Sequence, residues 1–254
     1  MIAVHSISKR FSQRNGRRTD VVQAVEHVSW TAADRRITGL LGPNGAGKTT
    51  SLRIVAGLID ADQGSVRIDD LDVKTQRARA LSRIGVLSDA RGLYPRLSAR
   101  ENILYYARLH GLSDSDANAR IRSLSAMLEM DSILERRTEG FSQGERMKTA
   151  LARALVHDPP NILLDEPTNG LDVLSTRRLR AALRRLRDEE GKCIIFSSHI
   201  MQEVERLCDH VVLISHGRTV AQGTLAELSQ KSGESDFEET FVKLAFTDAE
   251  RNAP

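Results

Sequence analysis

The sequence predicts an α/β domain built on a parallel sheet, with a small antiparallel β-subdomain and an inserted α-helical subdomain. Three observations predict it. The short, almost unbroken apolar runs Ile37–Leu41, Ile84–Leu87, Ile162–Leu164, Cys193–Phe196 and Val211–Ile214 have the composition of strands buried on both faces, and helical patterns lie between them. A glycine-rich stretch, Gly42-Pro43-Asn44-Gly45-Ala46-Gly47-Lys48-Thr49, follows the first run directly. From about Arg91 to His157 the alternation stops, and only helical patterns remain.

In chain order, Ile2 to Lys9 and Val25 to Thr31 read as strands, with Val28 and Trp30 on one face by alternation. The polar segment Ser12–Asp20 between them reads as a loop. Ser65–Ile68, after Asp62-Gln63-Gly64, reads as a further strand of a small antiparallel sheet. Phe11 ends the first strand, placed either for half-buried packing or as a platform for an adenine ring. After Gly42–Thr49, the residues Leu52, Val55 and Ala56 repeat at helical spacing, so the glycine-rich stretch joins a strand to a helix. Ser98-x-x-Glu101 is a capping box opening a helix that runs to about His110 and is closed by Gly111. Ile121, Leu124 and Leu128 mark the apolar stripe of the next helix.

Ser142-Gln143-Gly144-Glu145 forms a second capping box; Met147, Ala150, Leu151 and Ala154 follow at helical spacing, and Pro159-Pro160 stops the helix. The helix near Thr176–Glu190 buries Leu179, Leu183 and Leu186. Its arginines, Arg177, Arg178, Arg180, Arg184, Arg185 and Arg187, read as a solvated face. His216-Gly217 then turns the chain into Thr219–Gly223. Gln230–Asp236 reads as a flexible linker, and Phe237, Phe241 and Leu244 as a short helix docking on its own domain or on a partner.

Composition bounds the function. At 254 residues the chain is one large domain, or one with a substantial insertion, and 40% hydrophobic with 28% charged residues is ordinary for a soluble globular protein. No apolar run approaches the ~20 residues needed to span a bilayer. Met1-Ile2-Ala3-Val4-His5-Ser6 lacks a basic-then-apolar signal pattern, so no secretory leader is expected. Cys193 and Cys208 have no metal-like spacing and suit a reducing cytoplasm. A net charge of only +3 gives little reason to expect nucleic acid.

Gly42–Thr49 fits the phosphate-binding pattern G-x-x-x-x-G-K-[ST]. The glycines let successive N–H groups point into one concavity, which the positive end of the following helix reinforces. Lys48 would reach the β- and γ-phosphates, the Thr49 hydroxyl would ligate Mg²⁺, and Thr50 extends the binding segment. Asp165 and Glu166 end a buried strand: Asp165 would hold Mg²⁺ through water, and Glu166 would polarise the attacking water. His199, at the end of another apolar strand, is placed for a γ-phosphate contact. His210 and His216 read as structural.

Gly42–Thr49, Phe141-Ser142-Gln143-Gly144-Glu145, Ile162–Glu166, Asn169-Gly170-Leu171-Asp172 and His199 occur in the order and spacing of ABC-type ATPases, which the chain resembles from about Ile2 to Gly223. The resemblance implies a phosphate-loop ATPase domain over 2–228, its helical subdomain at about 91–157, with a linker and short amphipathic tail over 229–254. It further implies that two copies close head-to-tail over two ATP molecules, each between one copy's phosphate loop and the other's signature segment, Phe141–Glu145. Ser142, Gln143, Gly144 and Glu145 would then meet the partner's nucleotide. Asn169–Asp172, with Asp172 at its end, would line the dimer interface, and Phe11 would stack on adenine.

This sequence departs from the family pattern twice. Asp89 stands where a glutamine is usual; a carboxylate there can ligate Mg²⁺ but repels a metal-free γ-phosphate, so nucleotide binding is expected to be unusually Mg²⁺-dependent. Gln143 stands where glycine is common, and its side chain must either turn from the phosphate or offer it a donor. The leading functional reading is the ATP-hydrolysing subunit of a membrane transporter, peripheral at the cytoplasmic face of the inner membrane and coupled to a separate permease docked near Arg91–Arg100. Ser88–Asn102 resembles bacterial exporters, nearest the two-component sodium-efflux type with antibiotic exporters as relatives, which makes sodium ions or a drug the expected cargo. Alternatives are a soluble ABC ATPase acting on a ribosome or DNA complex, and a non-catalytic nucleotide sensor, against which the intact Lys48, Asp165, Glu166 and His199 argue.

Overall fold

The computed structural model describes residues 1–15, 18–88 and 92–246. Strands β1 (Ile2–Asn15) and β2 (Arg18–Ala32) pair antiparallel, and the alternation holds: Val28 and Trp30 are buried together with Val4, Ile7 and Val25. The loop expected over 12–20 is corrected, because strand pairing continues until Asn15 faces Arg18. The sequence hides it because Ser12–Asp20 carries no apolar alternation; another strand accompanies β1 only as far as Ser8, and Val21 and Val22 are exposed.

The fully buried β3 (Ile37–Leu41) leads through the glycine-rich loop into α1 (Lys48–Val55). Strands β4 (Gln63–Ile68) and β5 (Leu71–Asp72) complete an antiparallel sheet of order β2-β1-β4-β5, and α2 (Arg77–Leu81) leads to β6 (Ile84–Leu87).

The insertion is helical, as its composition requires. In α3 (Ala99–Leu109) both halves of the Ser98–Glu101 capping box are made, and Gly111, at φ +80°, turns the chain out. Ile121, Leu124 and Leu128 of α4 (Asp114–Leu128) are buried, as are Met147, Ala150, Leu151 and Ala154 of α5 (Gln143–Leu155). α5 stops before Pro159, where the Asp158 N–H closes a turn on the Leu155 carbonyl.

Then follow β7 (Asn161–Asp165), α6 (Val173–Asp188), β8 (Cys193–Ser198), α7 (Met201–Leu207), β9 (His210–Ser215) and β10 (Arg218–Gly223). The main sheet has the order β10-β9-β3-β8-β7-β6, with the predicted runs mutually parallel and β10 antiparallel on its edge. The α6 arginines do more than face solvent. Arg178 reaches Glu129 (3.2 Å), Arg180 faces Glu203 (3.8 Å) and Arg187 bonds Asp209 (2.7 Å), tying α6 to the α4 end, to α7 and to the start of β9.

The linker reading of 230–236 is also corrected. Residues 230–232 end α8 (Leu225–Ser232), opened by a Thr224–Glu227 capping box, and a buried Ser232–Thr240 hydroxyl pair at 3.0 Å fastens it to α9 (Phe237–Ala245). Phe237 and Phe241 are buried in the main core, so this helix docks on its own domain.

Candidate active site

Parallel register aligns the ends of three strands. Leu41 of β3 pairs with Ser198 of β8, and Asp165 of β7 with Ser197 of β8, so the residues leaving these strands converge. The loop fits because its glycines have no alternative. A Cβ on Gly42 would stand 2.1 Å from the Ile214 carbonyl oxygen, and Gly47 caps α1 at φ +101°. Lys48 is 5% exposed, and its Nζ donates to the carbonyls of Gly42 (2.7 Å) and Pro43 (3.1 Å). Burial holds the Lys48 ammonium below its ordinary pKa, against the opposing pull of Glu166 and Asp165.

Asp165 and Glu166 are oriented by a residue the sequence reading missed. The Ser197 hydroxyl, fully buried, donates to Asp165 Oδ1 (2.7 Å) and accepts from the Glu166 N–H (2.9 Å). Only the strand register brings Ser197 there; its one sequence signal is that it lies two residues before His199. Glu166 itself holds a left-handed φ of +47°, a strained geometry fixed by these partners. Its Oε1 is 3.6 Å from Lys48 Nζ and its Oε2 is 2.9 Å from His199 Nδ1. The Thr49 hydroxyl donates to Asp165 Oδ1 at 3.3 Å.

These groups line a cleft of about 400 Å³ that includes Asn44 to Thr50, Glu166, Asn169 and His199, with Val22, Gln23 and Ala24 as one wall. Among the described residues no group of three His, Cys, Asp or Glu side chains forms a metal cage. Mg²⁺ needs none: it favours one or two protein oxygens completed by water and substrate phosphates, and the adjacent Thr49 hydroxyl and Asp165 carboxylate fit it.

Other predicted residues lie apart from this cleft. Phe11 is exposed on β1 opposite Val22, with Lys9 Nζ 5.9 Å from its ring centroid; Val22, not Phe11, lines the cleft. Ser142 caps α5, accepting from the Glu145 N–H (3.2 Å) while its own N–H donates to Glu145 (2.8 Å). Against a burial cost, that N–H and Arg136 hold the Glu145 carboxyl below its ordinary range. Asp172 caps α6 by accepting from the Ser175 N–H at 2.7 Å, which lowers its pKa. Gln143 and Gly170 line a separate cavity of about 670 Å³, and Gly144 packs against Ser175. Asp89 lies outside the described residues.

A parallel sheet of this order, a glycine cradle opening α1 and a carboxylate pair at the end of β7 define a phosphate-loop nucleoside triphosphatase. Comparison with known proteins narrows the class. The ABC transporter family profile matches residues 25–169, and the chain belongs to that family. It is 43% identical over 243 residues to the ABC transporter ATP-binding protein NatA of Bacillus subtilis (strain 168), covering 95% of this chain and 97% of that one. It is 36% identical over 226 residues to the Nod factor export ATP-binding protein I of Burkholderia lata, covering 87% and 70%. Among solved structures, a dimeric post-hydrolysis ATP-binding cassette bound to ADP and Pi superposes with a TM-score of 0.80, covering 89% of this chain and 99% of that one; at 23% identity the likeness concerns the fold. This chain is an ATP-hydrolysing, ATP-binding subunit of the ABC transporter type. No helix among its described residues is long and apolar enough to cross a membrane.

Proposed function

We propose that this chain is the motor of an exporter: two copies close head-to-tail over two ATP molecules and drive a separate membrane permease. The observation that carries the pairing is the separation of Ser142 from its own chain's cleft. The Ser142 end of α5 is exposed and already capped, yet absent from the walls around Lys48, Glu166 and His199. A helix N-terminus of that kind favours an anion, and a second copy's nucleotide would supply one. The dimeric cassette of the same fold supports this reading.

Within each cleft the chain's residues divide the work. The loop N–H groups and Lys48 bind and orient the phosphate chain, and Glu166 accepts a proton from the attacking water. His199 holds Glu166 Oε2 and stands ready to contact the γ-phosphate. Thr49 and Asp165 would hold Mg²⁺, which supplies charge neutralisation at the phosphates. In this reading Asp89 adds a metal contact and Phe11, paired across from the cleft-lining Val22, stacks on adenine.

Export is favoured by the 36% identity to a Nod factor export subunit, and sodium or a drug as cargo by the resemblance over 88–102. The exposed Tyr94 and Tyr105, stacked edge-on at 5.5 Å beside the exposed Leu109, offer the permease an aromatic seat. The pairing is tested with Glu166→Gln. Sizing with saturating Mg-ATP should give a dimer; a monomer both alone and in detergent-solubilised complexes would overturn it. Pull-down from membranes should recover a permease with several ~20-residue apolar spans, and recovery of ribosomes or DNA instead would sink the transport reading.

A further inference from the structure

Gln143 stands at the exposed start of α5, and its side chain leads toward the turn that follows the catalytic carboxylate. Its Cγ lies 4.0 Å from the point a Cβ on Gly170 would occupy, and Gln143, Asn169 and Gly170 line one cavity, so the side chain runs beside that turn. The neighbouring Gly144 abuts α6, where an added Cβ would come within 2.7 Å of Ser175 Oγ. On its other side the turn is bound to the catalytic residue, the Asn169 N–H donating to the Glu166 carbonyl at 3.1 Å. Asn169 is moreover a wall of two cavities, lining the nucleotide cleft with Lys48, Glu166 and His199 and the larger cavity with Gln143 and Gly170. The turn has a left-handed residue at its centre, Gly170 at φ +72°, and a second bond from the Leu171 N–H to the Thr168 carbonyl at 3.1 Å. A displacement at Glu166 therefore moves a short, stitched segment rather than a slack loop.

We propose that Gln143 is a positioning residue: it keys the first turn of α5 to the Glu166–Gly170 turn of its own chain, so that filling the catalytic cleft is felt at Ser142. The link lies within one chain. Only its consequence, that one nucleotide adjusts the end presented to the other, rests on the head-to-tail reading. The atom that approaches the turn is the Cγ methylene, so side-chain length should matter more than the amide. A glycine or alanine at this position leaves the Gly170 turn uncovered, whereas methionine covers it.

Hydrogen–deuterium exchange on the full chain tests this, at a dilution where sizing shows monomer, with and without the magnesium complex of a non-hydrolysable ATP analogue. In the wild type and in Gln143→Met, the analogue should slow exchange over residues 141–147 about fivefold. In Gln143→Ala that slowing should vanish, while protection of residues 42–50 stays equal in all three proteins. Gln143 is exposed, so its truncation leaves the core untouched, and matching thermal midpoints check this. Slowing over 141–147 retained in Gln143→Ala, or absent from the wild type while 42–50 is protected, would overturn the proposal. Because the protein is monomeric throughout, neither result depends on whether two copies pair.

Discussion

The clearest quantitative test of the catalytic geometry is Ser197→Ala set against Ser215→Ala. Both serines are buried, on the two strands that flank β3, and both substitutions delete one hydroxyl. Their hydrogen bonding differs. Ser197 Oγ makes two bonds, one to the Asp165 carboxylate and one from the Glu166 N–H, whereas Ser215 Oγ has no partner among the described residues. A bond to a charged acceptor contributes about 1.5–3 kcal/mol and a neutral one about 0.5–1.5, so Ser197→Ala should cost roughly 2–4 kcal/mol. Ser215→Ala removes an unsatisfied polar atom and should change stability by less than about 0.5 kcal/mol, or raise it. Urea denaturation reads the difference directly. For a chain of this size the Ser197 variant should also melt on the order of 10 °C lower. Function should follow: with Asp165 and the strained Glu166 released, half-saturation of the ATPase by Mg²⁺ should move to higher concentration in Ser197→Ala alone. Equal stability losses in the two variants, or unchanged Mg²⁺ dependence in Ser197→Ala, would refute the idea that this hydroxyl organises the carboxylate pair.

Three further outcomes are expected. Gly42→Ala drives a Cβ to within 2.1 Å of the Ile214 backbone oxygen, which cannot yield without moving β9, so the variant should lose more than about 3 kcal/mol by denaturation or fail to accumulate as folded protein. Asp89→Gln should narrow the ratio of ATP affinities measured with and without Mg²⁺, and an unchanged ratio would end the metal role proposed for Asp89. Burial, then the ring of His110 stacked at 3.7 Å, pushes the His157 pKa down to about 4, so the fold favours the neutral imidazole. The stability this contributes is complete above the unfolded value near 6.5 and is lost as pH falls from there toward 4. Asp158 pulls the other way and Lys192 assists, but burial dominates. Urea titrations at pH 7 and 5 should show the wild type losing about 1–2 kcal/mol more than His157→Gln, and parallel losses would remove His157 as the cause.

How far the sequence discloses this molecule follows from which interactions are local. The glycine cradle, both capping boxes and the buried parallel strands are written in residues a few positions apart, and each is found where periodicity puts it. The strand pairing that reaches Asn15 and Arg18 is hidden because the polar sequence over 12–20 carries no hydrophobic period to read. The connection at 230–236 looks like a linker because its ordering comes from a cap and a hydroxyl pair, not from apolar residues. The site divides along the same line. Lys48, Thr49, Asp165, Glu166 and His199 carry chemical types at recognisable places, so they are legible. Ser197 is not, and Asn169 is legible only as part of the Asn169–Asp172 motif and not as a wall of the cleft, because these places arise only when β7 and β8 lie in register and the turn after Glu166 folds back. These two residues govern different things. Ser197 fixes where the carboxylates point within the cleft, and Asn169 lines both that cleft and the cavity beside the start of α5. A substitution at Ser197 should therefore alter metal dependence without altering transmission to residues 141–147, whereas truncating Gln143, which lies outside the nucleotide cleft beside the Asn169–Gly170 turn, should do the reverse.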